Sequence, residues 1–337
     1  MIERALIVGG GPAGMSSAIA LARQGVYCEI VEKNPDWSPA GIGIGLHSAP
    51  LRALKSLALF DPVVARGWPH QHINMLMADG TPVAQLPQSN VNGPDDPPFI
   101  TMTRMTLHQV LEERLRSLGV EVRIGTTVRQ LDDSGAAVVA ELSDDTRSPR
   151  EVVIGADGLH SQLREVLFPE GPSPEFCGQV IWRIGVRRPA ALEHYTMMVA
   201  GPTRIGLVPL TQDEICVWML DATLPPQRPP REHMLELFRE RLSAYAFVAP
   251  EILEQMTSSE QVDFRALYWL LLPPPWHAGR VVLVGDAAHT ATPHLAYRVG
   301  LAFEDAVVLG ELVAEGAGAD ELGQALGETF AALAEPI

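Results

Sequence analysis

The sequence predicts an α/β fold in which a parallel sheet is interrupted by a mostly antiparallel β-sheet domain with helices, and three observations carry that prediction. Three apolar runs, Ala5-Leu6-Ile7-Val8, Val152-Val153-Ile154 and Val281-Val282-Leu283-Val284, read as strands buried on both faces, as parallel sheets require. Each run stops at a segment of glycine and acid: Gly9-Gly10-Gly11-Pro12-Ala13-Gly14, Gly155-Ala156-Asp157-Gly158 and Gly285-Asp286-Ala287-Ala288-His289. Between them the pattern changes to short strands with turn residues, such as Ile73 to Met77 and Val83 to Leu86 around Asp79-Gly80.

Taken in order, the elements build a site. The first run enters a turn where Gly9 permits an unusual backbone, Gly11 lets the main chain approach a pyrophosphate, and Gly14 lets a helix pack on the strand. That helix, Pro12 to about Gln24, points its free N–H groups and positive dipole end at the phosphates. A second strand, Tyr27 to Val31, ends at Glu32, 18 residues beyond Gly14, where a carboxylate accepts from a ribose diol. Strand, helix, strand and acid in register make this a Rossmann-like dinucleotide unit. Lys33 either tunes the adenine end or is a solvated lysine. Pro50 to Leu57 is spaced for a helix with one buried face, and the proline-rich stretch 93–98 marks a crossing between domains. Arg104 to Leu118 is an amphipathic helix ending at Gly119, a strand follows over Val120 to Ile124, and 128–155 reads as a hairpin feeding the second glycine segment. From Cys177 to Leu272 strands dominate around a helix near Arg231 to Tyr245. The domains expected are therefore 1–71, 100–175 and 273–337 for the cofactor, and 72–99 with 176–272 for the substrate.

Composition narrows the class. At 337 residues and 47% hydrophobic content the chain can bury a large core. No apolar run reaches membrane-spanning length and the chain opens directly on a strand, so a cytoplasmic protein with no membrane partner is expected. Cys28, Cys177 and Cys216 show no Cys-x-x-Cys pairing, which indicates neither a disulfide framework nor a metal site. The formal charge is −16, a surface that repels nucleic acid. A homodimer is one assembly the sequence allows.

The three motifs, in this order over about residues 4 to 312, resemble those of the class A flavoprotein aromatic hydroxylases, the single-component monooxygenases similar to p-hydroxybenzoate, salicylate and 3-hydroxybenzoate hydroxylases. The resemblance implies FAD as cofactor, NAD(P)H as co-substrate, and O2 activated as a flavin C4a-hydroperoxide that hydroxylates a small phenolic or N-heteroaromatic substrate. It implies that Gly9, Gly11, Pro12, Ala13, Gly14 and Glu32 hold the ADP half, with Lys33 beside it and the Val128 backbone at adenine. Arg104 is similar to the arginine that contacts the flavin's phosphate or ribityl region, Asp157 lies in a motif similar to the one assigned to both FAD and NAD(P)H handling, and Gly285-Asp286 is similar to the carboxylate motif that binds the ribityl chain. Ile44, in Gly41-Ile42-Gly43-Ile44-Gly45-Leu46, resembles the segment along the isoalloxazine edge, and Pro293 and Gly300 belong to the segment facing the flavin ring. The alternatives are a helix N-cap for Asp286, a turn for Asp157 and a solvated helix start for Arg104. His289 reads as a packed histidine, and Glu304-Asp305 as a helix and loop anchor.

The substrate side is read from further matches. Arg183, in a Trp-Arg step, suits either a substrate carboxylate or an interdomain salt bridge, and Met198, Leu207 and Trp218 either line or underlie an apolar pocket or, the commoner fate of such side chains, belong to the core. His47 follows the flavin-edge segment and is the candidate base for a phenolic hydroxyl, with helix capping as its other reading. One departure stands out: Arg298 occupies a position where the family has glycine, leaving a catalytically impaired flavoprotein or ligand-binding relative as the alternative. A flavin-dependent halogenase fits less well, because a Trp-x-Trp-x-Ile-Pro signature and a well-placed lysine are absent.

Overall fold

Side-chain alternation along Arg4–Val8 sets the central layer of the computed structural model, which describes residues 2–318 together with 321, 322, 324, 325 and 328. The third piece of the expected cofactor domain, 273–337, thus runs partly outside the described residues. In spatial order Val281–Leu283, Val152–Gly155, Arg4–Val8, Tyr27–Glu32 and Glu121–Ile124 pair in parallel, and His277–Ala278 closes one edge antiparallel. Ala5 and Ile7 point to one face, where Met15 and Ile19 of the helix Pro12–Arg23 and Phe303 and Leu309 of the helix Arg298–Ala314 cover them. Leu6 and Val8 point to the other, against Val138, Ala140 and Leu142. Full burial of each such leucine or isoleucine contributes about 1.5–3 kcal/mol, which is why the strands read as unbroken apolar runs.

The cover on that second face departs from expectation. Residues 128–155 form a three-stranded antiparallel sheet, Val128–Asp132, Val138–Leu142 and Arg147–Arg150, before the parallel strand Val152–Gly155 begins. Arg147–Arg150 reads Arg-Ser-Pro-Arg and has no apolar period to announce it. Arg150 is nonetheless buried, bridging to the buried carboxylate of Glu29 on the central sheet.

A second large sheet runs His289–Thr290, Asp263–Leu271, Glu175–Arg187, Glu214–Asp221, Thr203–Pro209, Thr196–Ala200, His72–Met77 and Pro82–Pro87. Every pairing is antiparallel except that of Thr196–Ala200 with His72–Met77. The helices Arg231–Leu242 and Ala249–Gln255 pack on one face through Phe238, Leu242 and Ile252, around the fully buried Trp182. The opposite face carries Ile73, Tyr195, Val208, Leu210 and Cys216, in contact with Phe99. A small sheet, Gly43–His47, Phe99–Thr103 and Trp68–His70, joins the two layers. The mixed α/β architecture is the one the sequence predicts.

Candidate active site

Four neighbouring strands present the candidate groups at their carboxyl ends, where ligands of open parallel sheets bind. Glu32 ends Tyr27–Glu32, the glycine turn follows Arg4–Val8, Asp157 follows Val152–Gly155, and Asp286 follows Val281–Leu283. At about 4.8 Å between strands the row spans roughly 14 Å, a length suited to an extended ligand.

The glycine turn is built for close approach. Gly9 lies at φ +113°, and a Cβ there would overlap the Ala156 carbonyl oxygen; one on Gly14 would overlap the Gly9 carbonyl oxygen. Around a Cβ on Gly11 nothing lies within 4 Å. Pro12 opens the helix without needing a donor, and no side chain caps the end, so its first N–H groups remain for a ligand. Ala13 lies against the turn at Gly285, tying the first motif to the third. Gly9, Gly11, Glu32, Lys33, Thr127 and Asp157 line a cavity of about 210 Å³. Val128 follows Thr127 there and packs into the sheet that covers this face. Glu32 accepts the Gly10 N–H through Oε2 and the Asn34 N–H through Oε1, each at 2.7 Å, leaving lone pairs on both oxygens.

Asp157 does more than shape a turn: Oδ2 accepts the Leu163 N–H at 3.2 Å, while buried Oδ1 has no hydrogen-bond partner among the described residues. Arg104 is not a solvated helix start. Its Nε is buried and likewise unpartnered, and burial together with the charges of Arg183, Arg265 and Arg298 pushes its pKa down to about 10, against an opposing pull from Asp286. A buried carboxylate oxygen and a buried guanidinium nitrogen without partners are what a ligand bearing hydroxyls and phosphates would satisfy. Together with the open approach at Gly11, these residues fit a dinucleotide.

Asp286 does not cap a helix. Its carboxylate is held by Arg298, with Nε to Oδ1 at 2.6 Å and a second bond from the guanidinium to Oδ2. The turn beneath it is anchored by Asp305, which accepts the Gly285 N–H at 2.6 Å and pairs with His289 Nε2 at 2.8 Å. His289 is thus a packed histidine as read. Burial alone would lower its pKa, but the Asp305 carboxylate, with Asp286 behind it, raises it. Glu304 accepts the Tyr297 hydroxyl at 2.6 Å. Pro293 opens the short turn Pro293–Leu295, ahead of Ala296 in the left-handed conformation. Gly300 has a packing reason: a Cβ there would overlap Pro50 of the helix Ser48–Ser56.

On the substrate side the parity of the strands selects the core reading for two residues. Met198 and Leu207 point to the helix-covered core and are fully buried there, away from the face bearing Tyr195 and Cys216. Side chains alternate along a strand, so Met197, Gly206 and Val208 face the site instead. Trp218 is on the site face, its indole lying over Gly206. Arg183 pairs with Asp263, its neighbour in the same sheet, at 3.1 Å, so this salt bridge lies within the sheet and not between domains. Ile44 pairs with Met102 in the joining sheet, and Gly43 beside it lies against Leu210 and Cys216. His47 precedes Ser48–Ser56 without a side-chain cap bond and stacks on Phe99 at 4.2 Å. Burial lowers its pKa, partly offset by Gln88.

Sequence reasoning missed several participants. Trp37 donates its indole N–H to the Gly10 carbonyl at 2.8 Å and braces the glycine turn. Phe99 contacts His47, His70 and Tyr195 in one aromatic layer. Neither belongs to a motif, and both meet the site only through tertiary packing.

A model of the FAD binding domain family matches residues 3–325. The chain is 31% identical over 317 residues to the 2-heptyl-3-hydroxy-4(1H)-quinolone synthase of Pseudomonas aeruginosa, covering 91% of this chain and 80% of that protein. It is 30% identical over 311 residues to the aurachin C monooxygenase/isomerase of Stigmatella aurantiaca, covering 90% and 79% respectively. Its structure is similar to the tetrameric form of 2-methyl-3-hydroxypyridine-5-carboxylic acid oxygenase, with a TM-score of 0.81 at 26% identity over 96% of this chain and 86% of that one. A glycine turn open to close approach, a row of strand-end carboxylates and a family match over nearly the whole chain lead to one conclusion: the protein belongs to the FAD-binding-domain family of flavin-dependent monooxygenases, and FAD is its cofactor.

Proposed function

We propose that this flavoprotein uses NAD(P)H and O2 to hydroxylate a small aromatic ring, phenolic or N-heteroaromatic. The observation that carries the substrate class is the aromatic layer formed by Tyr195 and Trp218, on the sheet face opposite the helices, with Phe99 of the joining sheet, beside the Gly43–His47 strand. Flat apolar walls with a few polar groups suit a flat ring. By their names the quinolone synthase makes a nitrogen heteroaromatic and the hydroxypyridine carboxylic acid oxygenase acts on one, which favours that half of the class.

In this reading the Gly9–Gly14 turn and the helix N-terminus bind the diphosphate, Glu32 the adenosine ribose, and Lys33 and Val128 flank the adenine. Asp157 and Arg104 hold the cofactor's middle and Asp286 its ribityl chain, while Ile44, Pro293 and Gly300 shape the seat of the ring. Bound FAD supplies the reducible ring that takes a hydride from NAD(P)H and activates O2. The chain's own contribution is to exclude water from that ring and to orient the substrate on it. His47, kept neutral at pH 7 by its burial, is placed to take the proton from a substrate hydroxyl and so enrich the ring in electrons. The substrate unit is 72–99 with 176–272, and the remainder is the cofactor unit. Among the described residues no helix is long and apolar enough to cross a membrane; a cytoplasmic homodimer is the form proposed.

The test is to load the protein with FAD and screen hydroxypyridines, hydroxyquinolones and phenolic acids for stimulated NADH and NADPH consumption. Peroxide and product mass are followed together. A product heavier by one oxygen supports the proposal, and consumption that yields peroxide alone with every ring refutes it. The Arg298–Asp286 pair favours a second reading, a relative that binds aromatic ligands but is impaired in catalysis.

A further inference from the structure

We infer that Arg298 competes with the cofactor for Asp286, so that this chain carries its own occupant for a carboxylate of the FAD site. The inference rests on the assignment of FAD to this site.

Asp286 sits one strand beyond Asp157 and two beyond the glycine turn, at the same end of the sheet. An extended ligand whose phosphates lie at Gly11 and whose middle meets Asp157 and Arg104 continues toward Asp286. Its hydroxyls need an acceptor there, and the Arg298 fork takes one lone pair on each oxygen and offsets the charge of that acceptor, so the hydroxyls meet a weaker one. The fork also ties the start of the helix Arg298–Ala314 to the turn Gly285–Ala287. Arg298 is the first residue of its helix, where a cation opposes the helix dipole, and it raises the local positive charge against Arg104. Its side chain is 35% exposed and that of Asp286 30%, so the pair can open toward solvent without stranding a buried charge. Diphosphate bound nearby would offset the positive charge of Arg104 and Arg298 once the carboxylate is shared with the ligand.

The test is an equilibrium titration with FAD of protein stripped of flavin, read by flavin fluorescence, for the wild type and for Arg298→Ala, Arg298→Gln and Arg298→Lys. Thermal melts by circular dichroism run alongside to confirm that each variant is folded. Removing the competitor tightens FAD by about five- to tenfold in the Ala and Gln variants, the worth of a partly exposed two-point ion pair. Lys falls between, because an ammonium cannot make the fork. Equal or weaker binding by folded Ala and Gln variants overturns the inference and makes Arg298 a bystander or a cofactor ligand. Folded protein that takes up no FAD in any form, wild type included, overturns the assignment of FAD and this inference with it.

Discussion

Two glycines in the first turn separate stability from cofactor binding, and alanine at each provides the test. A Cβ on Gly14 would overlap the Gly9 carbonyl oxygen and meet the Gly9 carbonyl carbon and Ile7 Cγ2 at 3.1 Å each. A backbone oxygen cannot rotate aside as a side chain can, so the helix Pro12–Arg23 has to move off the strand. Overpacking of this kind costs about 1–3 kcal/mol. Alanine is the better helix former by about 1 kcal/mol, which offsets only part of it. Gly11 differs: nothing surrounds its Cβ within 4 Å, and its φ of −78° and ψ of 179° suit any residue. Gly11→Ala therefore changes the stability of flavin-free protein by less than about 0.5 kcal/mol, the lower chain entropy of alanine roughly cancelling its poorer capping. In the proposed binding mode its methyl nonetheless stands where phosphate approaches. The loss of one charge-assisted hydrogen bond, about 1.5–3 kcal/mol, weakens FAD roughly 10- to 100-fold. Urea unfolding of flavin-free protein and FAD titration measure the two effects. A Gly14→Ala protein as stable as wild type, or a Gly11→Ala protein with unchanged FAD affinity, would refute the reasoning.

Arg104→Met removes a buried cation crowded by three other arginines, so flavin-free protein should melt no lower than wild type while FAD binding weakens at least about tenfold; a lower melting temperature contradicts the burial argument. Asp305→Asn strips the carboxylate from both Gly285 N–H and His289 and should cost roughly 3 kcal/mol. Because the folded His289 pKa is raised above its unfolded value, the pair's contribution is full below about pH 6.5 and disappears as pH rises through the folded pKa. Wild type and Asp305→Asn should thus converge in urea midpoint from acid toward alkaline pH, and a gap that widens instead rules the linkage out. Met198→Ala should cost about 2–5 kcal/mol through the cavity it leaves, with KM for substrate unchanged; a shifted KM in folded protein would place Met198 in the substrate site after all.

What the sequence made legible is what backbone chemistry dictates locally. The turn at Gly9 needs a positive φ, the contact at Gly14 admits no side chain, and a buried parallel strand must be apolar on both faces, so the residues announce the cofactor layer without help from the rest of the chain. The substrate layer is different because its strands are covered on one face by helices and on the other by the site, so both faces bury apolar side chains, the site face beside the charges of Arg183, Arg204 and Asp263. Ile205, Leu207, Val208 and Pro209 offer no polar partner to reveal which parity faces inward. A choice between Leu207 and Val208 therefore rests on register with Glu214–Asp221, a contact between strands that no local pattern records. The same holds for charge. Arg298 is visible in sequence as an arginine where a glycine is expected, but only the fold brings its guanidinium back onto Asp286, 12 residues earlier, and turns a departure from pattern into competition for one carboxylate.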